Sequence, residues 1–222
     1  MQDFRVFIGW DSREDIAYQV AKYSIQRFTP NIEVIPLRQY QLREAGFYWR
    51  PDDKKGSTEF TITRFLVPYL SQFKGYSLFM DCDVLCYEDI RNIMRDADLT
   101  KAVSVVKHDY SPKGNMKMDG KMQHVYPRKN WSSVMLFNNE RCTKLTPEIV
   151  NKEEPMYLHR FMWTPDKRIG DLPVKWNNLN GYYEEEGGIR HYTDGGPWFE
   201  EYRDCEHAKD WTDTLKEMYA IK

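Results

Sequence analysis

The segment 76–90, YSLFMDCDVLCYEDI, restricts the fold of this chain more than any other stretch. Residues 76–80 mix aromatic and aliphatic side chains after Gly75 and present no polar face, the pattern of a strand buried on both sides. Such a strand needs a sheet covered on both faces, and here it ends in Asp81 and Asp83. In extended backbone, residues two apart point the same way, so both carboxylates are predicted to aim together while Cys82 faces away. Neighbouring carboxylates repel unless positive charge lies between them. A hard divalent cation carrying phosphate oxygens meets that need.

Further apolar runs at 4–9, 32–37, 101–106 and 132–137 read as strands, and Pro36 places the second at a sheet edge or at its own end. Between the first two, residues 13–28 repeat Ile16, Val20 and Tyr23 at helical spacing, and Pro30 closes the helix. Residues 39–55 read as a polar excursion. The stretch 57–73 reads as one helix bent or broken at Pro68, with Arg64 set among apolar neighbours. Short helices are expected at 87–95, 140–151 and 155–163, and an amphipathic helix or helix pair from Trp198 onward. Strands alternating with helices predict an α/β fold: a mostly parallel central sheet with helices on both faces, in one domain spanning 1–222. Ligands of such sheets bind beyond the carboxyl ends of the strands, where Asp11 and the Asp81/Asp83 pair fall. Residues 107–130 lack periodicity and hold six Lys or Arg against two Asp. They read either as a flap over a phosphorylated ligand or as a solvated insertion.

Lys and Arg total 32 against 34 Asp and Glu, and the net charge of -2 gives no general attraction to nucleic acid. No run is long and apolar enough for a membrane span, and the first residues lack the basic and hydrophobic regions of a signal peptide, so a cytoplasmic protein is expected. Cys82, Cys86, Cys142 and Cys205 are scattered without ligand-type spacing and are expected to be free thiols. An aromatic share of 15% would suit stacking on sugars or bases, although core filling accounts for most of it.

A D-x-D alone is a weak signal, and Asp83 or Glu88-Asp89 could simply compensate a helix N-terminus. Position after a buried strand favours the cation. FMDCDVLCYEDI, preceded by TRFLVPYL and followed by WNNL and HYTDGGPW, resembles the nucleotide-sugar glycosyltransferases of the GT-A fold, nearest to glycosyltransferase family 8. The resemblance implies a Rossmann-like GT-A domain in which Asp81 and Asp83 hold Mn²⁺, with Mg²⁺ as an alternative, and Asp81 also reaches the nucleotide ribose. His191 matches the family's third metal ligand. Two carboxylates and an imidazole suit Mn²⁺ better than cations that prefer all-oxygen shells. Gly9 and Asp11 match the nucleotide-binding first strand, although Asp11 reads equally as a helix cap. Arg64 matches the arginine upstream of the D-x-D that reaches the donor sugar or the metal carboxylates. Ser132 and Ser133 stand where the family has small residues beside the donor, and Gly195 lies in the block that approaches the diphosphate.

The chain also departs from that family. The closing block lacks the diphosphate-binding lysine, for which Arg190, Lys167 or a lysine of 107–130 could substitute. YLHRFMW offers only His159 and Arg160 where the family lines the sugar with D-Q-D. His108, His124, His159 and His207 are assigned no catalytic role. The expected activity is metal-dependent transfer of a sugar from a nucleoside diphosphate sugar, a UDP-sugar, to a hydroxyl of a glycan or small acceptor, with retention. The competing readings are a haloacid-dehalogenase-type phosphohydrolase, whose first aspartate is a nucleophile, and a non-catalytic sugar-nucleotide-binding protein.

Overall fold

The computed structural model describes residues 3–51, 57–109 and 128–220. The segment 107–130, the site of the expected flap, lies largely outside them.

β1 (Phe4–Trp10) leads into α1 (Asp15–Phe28), which returns the chain to β2 (Val34–Arg38) alongside β1 in parallel. β3 (Tyr76–Met80) adds in parallel on the other side of β1. The remaining strands of the large sheet are β5 (Val103–Val105), β6 (Val134–Asn138) and β7 (Ile169–Asp171), giving the order β2-β1-β3-β6-β5-β7. Three of its five pairings are parallel, and β6 runs antiparallel to both neighbours. β2 lies at the edge, where the missing N–H of Pro36 is tolerated. β3 lies inside, and Leu78, Phe79 and Met80 are fully buried. Burying each such side chain stabilises the fold by about 1.5–3 kcal/mol, which makes this strand central to the core.

β4 (Val84–Cys86), β8 (Asn178–Leu179) and β9 (Ile189–His191) form a second, three-stranded sheet in the order β4-β9-β8. The D-x-D therefore does not continue β3 as extended backbone. The chain bends at Cys82–Asp83 and leaves the large sheet for the small one. Asp81 N–H donates to Ser133 O at 2.9 Å and Tyr192 N–H to Asp83 O at 2.8 Å, so a backbone bond anchors each acid to one side of the junction.

The expected excursion at 39–55 contains α2 (Gln39–Glu44), whose polar sequence hides a single buried anchor, Leu42. The expected helix at 57–73 is two short pieces, a 3₁₀ turn at Thr63–Leu66 and α3 (Val67–Leu70). Pro68 sits in the first turn of α3, where it interrupts no hydrogen bond. Upstream, Thr61 Oγ1 donates to Thr58 O at 2.9 Å and accepts from Thr58 N–H at 3.1 Å, a local pairing that competes with helix. α4 (Ile93–Asp96), α5 (Pro147–Lys152) and α6 (Pro155–His159) are short, and α7 (Ala208–Ala220) packs against α1. All four cysteines are free thiols. Among the described residues no helix is long and apolar enough to cross a membrane.

Candidate active site

The junction between the sheets gathers side chains from four separate segments. Asp81 and Asp83 come from the bend after β3. β9 pairs with β4 so that His191 lies opposite Val84, beside Asp83. A ligand atom from each of Asp81, Asp83 and His191 lies within 4.8 Å of the others, and His191 Nε2 stands 3.2 Å from Asp83 Oδ1. An octahedral ion with bonds of about 2.1 Å has ligands about 3 Å apart along an edge. The donor set, and the 3.2 Å between His191 and Asp83 as one edge, fit a divalent ion. His191 is 2% exposed, and its Nδ1 faces Asn177 Oδ1 at 2.9 Å.

Arg64, 5% exposed, approaches the acids from the turn before α3. Its Nη1 lies 2.8 Å from Asp81 Oδ1 and donates to Ser132 O at 2.8 Å, while Nε donates to Phe60 O at 3.3 Å. The guanidinium carbon lies 5.2 and 5.0 Å from the ring centroids of Phe60 and Phe79. Of the two partners expected for this arginine, the structure places it on a carboxylate. A fixed cation therefore stands beside Asp81, which offsets repulsion between the two carboxylates before any metal binds.

The residues expected at the nucleotide lie at the end of β1. Asp11 is fully buried and is a clamp within its loop: Oδ1 accepts from the Arg13 N–H and Nε, and Oδ2 from Arg13 Nη2 and the Glu59 N–H. Burial alone would raise its pKa, but these donors outweigh burial and hold the carboxyl below the usual range. It caps no helix, because α1 begins after Glu14 without a side-chain cap. Gly9 has a packing reason to be glycine, since a Cβ there would lie 2.4 Å from the Phe60 ring. Ser132 Oγ pairs with His159 Nδ1 at 2.8 Å, and Ser133 Oγ donates to Asn130 O at 2.6 Å. Gly195 has φ +141, and a Cβ on it would lie 2.6 Å from the Tyr202 ring, so aromatic packing accounts for this glycine. Arg190 alternates with His191 along β9 and faces Tyr87, 5.9 Å from its ring centroid, away from the acid pair.

Two buried groups here, Glu14 and Asn177, escaped sequence reasoning. Glu14 is 1% exposed, and burial, followed by the charges of Asp83 and Asp11, pushes its carboxyl up to about 8 against the opposing pull of Arg13 and the Trp198 N–H. Trp198 Nε1 donates to Glu14 Oε2 at 3.2 Å, joining the GGPW block to the start of α1. A signal existed, since Glu14 continues the buried stripe of Tyr18, Ala21 and Ile25, where an acid is out of place. Asn177 belonged to the WNNL block without a role. His108 packs on Tyr183 with ring centroids 5.6 Å apart, and burial together with the nearby His191 pushes its pKa to about 3. His159 turns inward: its ring meets Phe65 edge-on at 5.2 Å, and burial, then Arg64, lowers it to about 3.

No protein-family model matches the sequence. The fold is that of the GT-A-type glycosyltransferases. The bifunctional glycosyltransferase WbbM in its apo form superposes with TM-score 0.65 at 16% identity over 99% of this chain, which spans about half (51%) of the WbbM chain. The galactosyltransferase LgtC, in complex with donor and acceptor sugar analogues, superposes with TM-score 0.61 at 14% identity over 96% of this chain and 95% of its own. Protein CDI of Arabidopsis thaliana is 45% identical over 224 residues, 96% of this chain and 86% of CDI. At that identity and coverage, the chain belongs to the family of protein CDI.

Proposed function

We propose that the protein is a metal-dependent glycosyltransferase that takes a sugar from a nucleoside diphosphate sugar, with UDP as the nucleotide, and passes it to a hydroxyl of a glycan or small acceptor with retention. The observation that carries this reading is the convergence of Asp81, Asp83 and His191 within 4.8 Å at the end of the central strand of a GT-A fold. Asp81, Asp83 and His191 would hold Mn²⁺, or Mg²⁺ in its place. The ion, when bound, supplies positive charge to the departing diphosphate as a Lewis acid. Arg64 orients Asp81 through its 2.8 Å contact with Oδ1. Gly9, the Asp11 loop, Ser132, Ser133 and Gly195 surround the remaining donor pocket in this reading. Burial and the charges of Asp83 and Asp11 raise the Glu14 carboxyl to about 8, which disfavours a third negative charge beside Asp83 in the metal-free site.

The dehalogenase-type reading requires a different fold. A non-catalytic sugar-nucleotide-binding protein is the second reading, and one observation favours it: His159, in the segment that stands for the family's sugar-lining block, is buried against Ser132 and Phe65. Incubating the protein with Mn²⁺ and a panel of UDP-sugars, with products followed by mass spectrometry, separates the two. Transfer to an acceptor, or slow release of UDP, is expected from one donor. Intact return of every donor that binds would favour the pure binder.

A further inference from the structure

The network behind His191 determines where that imidazole carries its proton. Asn177, fully buried, donates from Nδ2 to Asn130 O at 3.1 Å and to Ser133 Oγ at 3.0 Å. Asn130 O is a carbonyl and only accepts, and it also receives the Ser133 hydroxyl at 2.6 Å. Reversing the Asn177 amide would set two acceptor oxygens against each other at Asn130 in a site with no bulk water, so the amide has one allowed orientation. That orientation directs Asn177 Oδ1 at His191 Nδ1, 2.9 Å away. An amide oxygen can only accept, so Nδ1 must bear the hydrogen. Nε2 is then the nitrogen left facing the acid pair, 3.2 Å from Asp83 Oδ1: a cation seated between them would take its lone pair, and without one that carboxylate oxygen favours a hydrogen there as well.

We infer that Asn177 is a positioning residue that holds a proton on His191 Nδ1 and so reserves Nε2 for the acid pair and any cation it binds. The network starts at Asn130, whose left-handed backbone (φ 62) aims its carbonyl at Ser133 and Asn177, a conformation asparagine adopts more readily than most residues. The serine of the pair expected at the donor thus serves the histidine. The Nδ1 proton follows from the Asn177 hydrogen bonds, whereas its consequence for metal binding rests on the metal reading proposed above.

The test uses the full chain without metal, with ¹⁵N-labelled histidine, and records by long-range ¹H–¹⁵N correlation which nitrogens of His191 carry hydrogen. The wild type is expected to show a protonated Nδ1. Asn177→Leu, which keeps the branched shape and removes the acceptor, is expected to leave Nδ1 partly unprotonated and to weaken Mn²⁺ binding, titrated by electron paramagnetic resonance, by about 10–100-fold. A wild type with Nδ1 unprotonated would overturn the inference, and this measurement holds even if the variant does not fold. So would a folded Asn177→Leu protein with unchanged Nδ1 protonation and Mn²⁺ affinity. An Nδ1 proton that responds to Asn177→Leu in a protein that binds no Mn²⁺ would uphold the inference while counting against the metal reading.

Discussion

Replacing His159 with Asn should remove a specific acid lability from this protein. The imidazole is buried behind Arg64, and burial, with the arginine charge adding to it, lowers its pKa from 6.5 to about 3 in the fold. The unfolded chain therefore takes up a proton below pH 6.5 that the folded chain refuses until about pH 3. Stability is intact above pH 6.5 and falls as the pH drops through that window, at about 1.4 kcal/mol per pH unit once well below 6.5. Between pH 7 and pH 5 the cost comes to about 2 kcal/mol for this residue alone. Asn places a hydrogen-bonding atom near the position of Nδ1, so it can keep the contact that His159 makes with Ser132 Oγ at 2.8 Å. Urea unfolding of both proteins at pH 5, 6 and 7, with metal absent, isolates the effect, because every other titrating group cancels in the difference. The wild type should lose about 2 kcal/mol more than His159→Asn across that range. Parallel profiles would refute the reasoning, for they would mean that the buried imidazole accepts its proton as readily as an exposed one.

Glu14 works in the opposite direction. Its carboxyl ionises from 4.5 in the unfolded chain but near 8 in the fold, so its contribution is intact below pH 4.5, declines as pH rises and levels off above 8. Glu14→Gln should therefore gain about 2–3 kcal/mol on the wild type between pH 5 and pH 7 in the same urea assay. Gly9→Ala would set a Cβ 2.4 Å from the Phe60 ring and should cost about 1–3 kcal/mol through overpacking, read as a lower urea midpoint at unchanged slope.

The large sheet was the legible part of this chain. Residues 76–80 have no polar face because both faces of β3 are covered, and Pro36 marked the edge strand because only an edge tolerates its missing donor. The small sheet was harder to read: β4, β8 and β9 span only two or three residues each, too few for a period of two to show. Its absence from the sequence reading also hid the bend at Cys82–Asp83. The two acids were expected to align by strand alternation, whereas they meet because the chain turns from one sheet into the other. Asp81, Asp83, His191 and Arg64 could be found from motif and position. Glu14 and Asn177 could not be assigned roles, since their significance comes from what tertiary packing places against them: a carboxylate in one case, an imidazole in the other. Gly9 and Gly195 illustrate the converse, because a glycine within a block matched to donor binding has packing reasons that only the neighbouring Phe60 and Tyr202 rings reveal.

The central claim is that Asp81, Asp83 and His191 form a metal site serving a nucleotide diphosphate. Calorimetric titration of UDP into the wild type and Asp83→Asn, each with and without Mn²⁺, tests it most directly. Wild-type affinity should rise with Mn²⁺, and that gain should vanish in Asp83→Asn while the variant keeps the wild-type circular dichroism spectrum. Equal UDP affinity with and without Mn²⁺ in the wild type would contradict it.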